Sequence, residues 1–412
     1  VFNKDTNRKE WIISEEDVDF ISIGACILGC AGGGSPFLSQ LVLKEQIQSG
    51  KIIKVVSPDD MTDKEVAFTI AFYGSPDCGK EKLLNYNELN NAFHTIYDSY
   101  CDSQKIKTEN SFEPLLSSAE IGGLNSLVPF ILSAEKNIPV LDIDFMGRAY
   151  PYITYLTSVM YGEKIFPVSF CNDRGDTRLF QEDEVLTEKS LESKKANPEQ
   201  FDYEVDWLKA GKMIGELAES WSNVAGIGFA PLNRTQIGRV GVKYSLSRAR
   251  NLGEAMCRMR VSKSGSLKSV IEELENARFI FEGKVIVVDK SFKEKSEGHL
   301  TVEGFGEYRG REMDVYFKNE TIIARQRKTG EDTAEVVATT PDLIALLDIE
   351  SLDGVLVENF NYGQKVYVIS IPANDLLTGK LELTGPKSFG EYFKDIPYKP
   401  FGTEKKTKSV LS

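Results

Sequence analysis

Val66-Ala67-Phe68-Thr69-Ile70-Ala71-Phe72, closed by Tyr73-Gly74-Ser75-Pro76, is an unbroken apolar run of strand length that ends in turn residues. A strand with no polar face is one buried on both sides, as in a parallel sheet covered by helices. The flanking sequence agrees. Upstream, Ser14 with Asp17 three residues on forms a capping box ahead of Val18, Ile21, Ala25 and Leu28, so a helix is expected up to Gly29. Ser35 then suits the N-cap, and Pro36 the first position, of a second helix reaching Gln48. Downstream, residues 127–134 read as a helix and Pro139-Val140-Leu141-Asp142-Ile143-Asp144 as a further strand. Strand, loop and helix alternate, which places an α/β domain over residues 11–175.

Residues 176–275 read as a continuation of that core. Their polar, charge-dense part, 181–207, is expected to be a surface loop, followed by helices near 203–221 and 234–259. From Phe279 onward Val, Ile, Tyr and Phe alternate between glycines, so residues 276–398 form a β-rich domain, with one short helix expected at 343–347. Residues 399–412, which carry Lys405-Lys406-Thr407-Lys408, are expected to be a flexible tail.

Composition narrows the function classes. With 62 acidic against 49 basic residues the net charge is −13, which lacks the basic footprint that nucleic acid or an anionic membrane attracts. No apolar run approaches the ~20 residues of a membrane span, and the first residues lack a signal-peptide layout, so a cytoplasmic protein is expected. Six cysteines are scattered without a C-x-x-C pair, and two histidines, His94 and His299, have no ligand-type spacing. Chemistry therefore falls to carboxylates, Cys, Lys, Tyr and backbone.

Three features carry such chemistry. In Gly29-Cys30-Ala31-Gly32-Gly33-Gly34-Ser35-Pro36, the glycines permit close backbone approach and the following helix start aims free N–H groups at an anion. Gly32, Gly33, Gly34 and Ser35 are thus anion-contact candidates, and the loop reads equally as a tight helix-to-helix turn. Cys30 lies in the same loop, where those dipoles would lower a thiol pKa; a buried, inert cysteine is the alternative. Asp142 and Asp144 alternate with Ile143, so one strand would put both carboxylates on one face. With Glu120 and Asn125 they make an oxygen-rich set suited to a divalent ion; otherwise Asp142 caps nearby backbone and Asp144 pairs with Arg148.

The glycine run, with Tyr73-Gly74-Ser75-Pro76, Glu120-Ile121-Gly122-Gly123-Leu124-Asn125 and Asp142-Ile143-Asp144-Phe145-Met146-Gly147-Arg148-Ala149-Tyr150-Pro151, resembles the S-methyl thiohydantoin desulfurase-like family in order and spacing. Further matches, among them Phe317-Lys318-Asn319-Glu320 and Pro341-Asp342-Leu343-Ile344, extend the resemblance over about residues 17 to 396. It implies two domains, α/β and a swivelling β-rich one, and hydrolytic exchange of sulfur for oxygen on a thiohydantoin ring, assisted by a divalent metal. Glu120, Asp142 and Asp144 would then be metal ligands, with Glu120, Asp144, Asn125 and Cys30 as catalytic candidates. Ser75 and Arg148 would join Gly32 to Ser35 in contacting substrate. The partners implied are a small-molecule substrate, a hydantoinase- or oxoprolinase-type protein and, in a homo-oligomer, further copies of the chain. Four positions or segments depart from the family pattern: Cys30-Ala31 in the glycine run, Phe145 for a glycine, Tyr152 for an acid, and residues 291–295 for a Thr-Thr-Gly-Gly-Phe loop. A non-catalytic binding subunit is the alternative these departures raise.

Overall fold

The computed structural model describes residues 1–3, 8–74, 86–105, 111–197, 205, 206, 209, 210, 213, 224–262, 266–290 and 297–411. The strand Glu65–Gly74 is buried from Glu65 to Phe72. Its alternation sends Phe68, Ile70 and Phe72 into one core and Ala67 and Ala71 into a second on the opposite face. Parallel to it runs Glu113–Ser118, which pairs in turn with Val140–Leu141, and Lys54–Val56 continues the parallel set. On the other side Val224–Phe229, Val168–Cys171 and Thr177–Phe180 complete the sheet in antiparallel order. Helices Glu15–Leu28, Phe37–Gln48, Asn87–Ser103 and Val128–Lys136 contribute Val18, Leu43, Phe93 and Phe130 to the first core.

The second domain is a seven-stranded antiparallel sheet in the order Glu335–Thr339, Glu320–Lys328, Arg311–Lys318, Glu297–Gly304, Arg278–Asp289, Lys365–Ile371, Leu343–Asp348. It curls until Thr321 Oγ1 donates to the Ile344 carbonyl at the far edge. An α/β domain followed by a β-rich one is therefore what the chain forms. The two share a core, because Leu343, Leu347, Ile369 and Ile371 pack in the same cluster as Val18 and Ile21.

Several local expectations are corrected. Ser35 is not the N-cap: Pro36 occupies that position with helical dihedrals, and no side chain caps the helix. The 181–207 segment holds two helices, Glu182–Val185 and Glu188–Ala196, because Gln181 and Thr187 cap them. Gly241 and the bridge strand Val242–Lys243 split the 234–259 helix into Arg234–Val240 and Ser245–Ser262. Much of 203–221 lies outside the described residues, as do 291–295. Residues 343–347 are strand, buried throughout and paired with Lys365–Ile371.

Ser245–Ser262 lies against Glu15–Leu28 so closely that a Cβ at Gly24 would overlap the Ala249 backbone, and one at Gly253 the Phe20 backbone. The C-terminal segment is tied to the body. Tyr398 Oη donates to Asp342 Oδ1 at 2.8 Å, Arg248 donates to Glu404 at 2.8 Å, and the Val410 amide to Ser247 Oγ at 3.0 Å.

Candidate functional site

Asp142 interrupts what would have been one strand. Val140–Leu141 stays in the main sheet, and Ile143–Asp144 pairs with Val242–Lys243 instead. Both carboxylates nevertheless reach the start of the helix Ser245–Ser262. Asp142 Oδ1 accepts from the Leu246 and Ser247 amides at 2.9 and 3.1 Å, and Oδ2 from the Ser247 hydroxyl. Asp144 Oδ2 accepts from the Ile121, Met146 and Gly147 amides at 3.0, 3.0 and 2.7 Å, and Oδ1 from Ser245 Oγ at 2.5 Å. Burial pushes each up to about 6, held back by these donors.

All four aspartate oxygens are thus occupied by protein donors. Among the described residues no three His, Cys, Asp or Glu side chains gather into a group able to hold a metal ion. The expected Glu120, Asp142 and Asp144 ligand set is not gathered into one group among the described residues: the aspartates cap backbone. Asp144 does not pair with Arg148 either.

Glu120 is differently placed. It follows the C-terminal end of Glu113–Ser118, where parallel strands gather ligands. Asn125 fixes it: Asn125 Oδ1 accepts from the Phe72 amide at 2.8 Å, while Nδ2 donates to the Phe72 carbonyl at 3.1 Å and to Glu120 Oε1 at 2.8 Å. The Tyr150 amide donates to Oε2 at 3.3 Å. Burial pushes the Glu120 carboxyl up to about 7, against these two donors, and the Asp144 charge adds to the rise.

The β-rich domain supplies an acid that sequence reading missed. Lys318 and Glu320 pair across a tight turn whose apex, Asn319, has φ +56°, a left-handed conformation that Asn tolerates. The turn sends Glu320, 4% exposed, into the α/β domain, where a Cβ on Gly32 would overlap its carboxylate. Oε2 has no hydrogen-bond partner among the described residues. Burial and then the Glu120 charge raise its pKa well above the ordinary range, opposed by Arg148. The available signal was an acid directly after an Asn turn, heading the apolar run Ile322-Ile323-Ala324.

The glycine loop joins the two domains. The Cys30 carbonyl accepts from the Thr321 amide at 3.0 Å, and that of Ala31 from the Val357 amide at 2.9 Å. Cys30, Ala31, Gly33 and Gly34 all have positive φ. The Gly33 and Gly34 carbonyls accept from Asn125 and Leu124 amides at 3.3 and 2.9 Å. The Gly33, Gly34 and Ser35 amides have no partner among the described residues. Cys30 follows the buried-cysteine alternative: burial pushes its thiol up, outweighing the Arg148 charge.

Arg148 departs from expectation, because all three of its nitrogens donate within the protein. It binds the Ala149, Asp342 and Thr321 carbonyls at 3.2, 3.0 and 2.6 Å and Thr340 Oγ1 at 3.3 Å, stitching the domains together. Ser75 lies outside the described residues. Phe145 is a fully buried core residue, whereas Tyr152 is 40% exposed with Lys318 Nζ 5.4 Å from its ring centre. Tyr150, Tyr155 and Phe389 stack beside it at 4.7 and 5.3 Å between successive ring centres.

Fold and site together define a two-domain protein with buried acids where an α/β domain meets a β-rich one. Family models match both parts: the S-Me-THD-like N-terminal domain over residues 16–182 and the S-Me-THD-like C-terminal domain over residues 205–401. The chain belongs to the S-Me-THD-like family, whose membership supports hydrolase- or desulfurase-like function in general. A crystal structure of a protein from Chromobacterium violaceum has the same fold, with a TM-score of 0.73 and 20% identity over 95% of this chain and 99% of that one. No curated protein matches the chain. Among the described residues no helix is long and apolar enough to cross a membrane.

Proposed function

We propose that this protein hydrolyses a small cyclic amide or thioamide of hydantoin type, exchanging ring sulfur for oxygen, with Glu120 as the acid–base group. The observation that carries this reading is Glu120 itself. A buried carboxyl at a strand's C-terminal end, oriented by Asn125 and poised near neutrality, is matched to proton transfer at working pH. The unpartnered Gly33, Gly34 and Ser35 amides suit the negative charge that develops as water adds to the ring. A hydantoinase- or oxoprolinase-type protein is the partner this reading favours, and the cytoplasm its compartment.

The test is release of sulfide or thiol from a panel of thiohydantoins. Turnover by the wild type that Glu120→Gln lowers about a hundredfold, the lower end for loss of a general acid–base group, is the expected result. No turnover across the panel would leave the binding-subunit reading in its place.

A further inference from the structure

Arg325 lies on Glu320–Lys328, where the register sets it opposite Asp314 and diagonal to Tyr316 on Arg311–Lys318. The face these three share is turned away from the core of the β-rich domain, which takes Met313, Val315 and Phe317 instead. Asp314 is the acid in position to answer the Arg325 charge, but its oxygens are taken. Oδ1 accepts from Thr301 Oγ1 at 2.7 Å and Oδ2 from Arg327, whose other terminal nitrogen donates to Glu312 Oε2 at 2.7 Å. Among the described residues Arg325 makes no hydrogen bond and no ion pair, and its Nε is buried without a partner. Rings flank it instead. Its guanidinium carbon is 5.3 Å from the ring centre of Tyr316 and 5.6 Å from that of Tyr392. His299 stacks on Tyr316 at 5.5 Å and Phe393 meets it edge-on at 5.9 Å, which fixes that ring. Cation–π contacts orient a guanidinium without neutralising it, so its N–H edge stays charged and available to an acceptor in its plane.

The hydroxyls complete the set. Tyr392 Oη donates to Tyr316 Oη at 3.2 Å, which leaves the Tyr316 proton to be given onward. A guanidinium with its charge to spare, held against a ring that carries a hydroxyl donor, matches a carboxylate, the planar monoanion that arginine binds through two parallel hydrogen bonds. The patch is open: Tyr392 is 56% exposed, and Arg325 and Tyr316 are half-buried. Small-molecule sites are concave and enclose their ligand, whereas an open patch of Tyr and Arg has the composition of a protein-interface hot spot. With a net charge of −13 the rest of the surface repels acids, so an acidic segment is directed to the uncompensated cation. We propose that Arg325, Tyr316 and Tyr392 form a docking point on the β-rich domain for an acidic segment of a partner protein. One carboxylate of that segment accepts from the Arg325 N–H edge and from the Tyr316 hydroxyl.

The test uses the full chain and a rhodamine-labelled, end-capped peptide of four glutamates, followed by fluorescence anisotropy beside its four-glutamine counterpart. The glutamate peptide should bind and the glutamine peptide should not. Arg325→Gln should weaken binding at least about tenfold, the scale of a hot-spot residue. Arg325→Lys, which keeps the charge and loses the planar fork, should fall between wild type and Arg325→Gln. Tyr392→Phe keeps the ring and removes one hydroxyl, and should weaken binding less than Arg325→Gln does. Arg311→Gln, at an exposed arginine of the same domain, is the control and should change nothing. Thermal unfolding of each variant separates lost binding from lost folding. Equal binding of the two peptides, no binding of the glutamate peptide, or full binding by folded Arg325→Gln would overturn the proposal. Acetate or benzoate bound at Arg325 without the peptide would put a small acid there instead. Self-association that Arg325→Gln abolishes, again without peptide binding, would put a second copy there, and either result also overturns it.

Discussion

The molecule buries Asp142, Asp144, Glu120 and Glu320 and treats the aspartates and the glutamates oppositely. Asp142 and Asp144 receive seven hydrogen bonds between them, five from backbone amides. Glu120 receives two, and Glu320 leaves an oxygen bare. Burial alone therefore does not mark a site. A buried carboxylate saturated with donors is part of the scaffold, and one short of donors keeps its proton and can exchange it.

The largest expected effect breaks the saturated pair. Asp142→Ala leaves two helix-start amides and the Ser247 hydroxyl without their acceptor, and should cost on the order of 3–5 kcal/mol in denaturant unfolding, as for a broken buried charged contact. A chelator should leave the wild-type melting curve unmoved, because a ligand lost from the native state would lower it.

The second effect belongs to the under-supplied pair. Glu120 is raised in the folded protein to about 7 from 4.5, so its favourable contribution is complete below the unfolded value and is lost as pH rises through about 7. Glu120→Gln removes that loss. The stability difference between wild type and variant should change by roughly 3 kcal/mol across this window, from 1.36 kcal/mol per pKa unit, read from unfolding curves at several pH values.

A third change tests the fit between domains. Gly32→Ala must displace Glu320, and should cost about 1–3 kcal/mol as overpacking does. Adding Glu320→Ala should recover part of that cost, because contacting sites are not additive. The smallest effect lies in the same loop. Ala31 holds φ +72°, so Ala31→Gly should stabilise by about 1 kcal/mol, the size of the left-handed penalty.

What was legible in the sequence was local. The Glu65–Gly74 strand declared itself through apolar continuity, the first helix through Ser14 and Asp17, and Glu120 with Asn125 through their shared segment. The partners of the aspartates were not legible because period-2 alternation assumes one continuous strand, and the chain changes sheets at Asp142. Residues 343–347 were misread because a short apolar run fits helix and strand alike, and their partner strand is over 20 residues away. Glu320 was missed because its placement depends on Gly32 in the other domain. The C-terminal segment looked free because Arg248 and Ser247, which bind it, are equally remote in sequence.

The contrast between the two pairs is tested most directly by sulfide release at neutral pH, expressed per folded molecule, for wild type, Glu120→Gln and Asp142→Asn. The account predicts that Glu120→Gln keeps its fold and loses turnover about a hundredfold, while Asp142→Asn loses stability and keeps turnover. Turnover retained by Glu120→Gln and abolished in folded Asp142→Asn would contradict it.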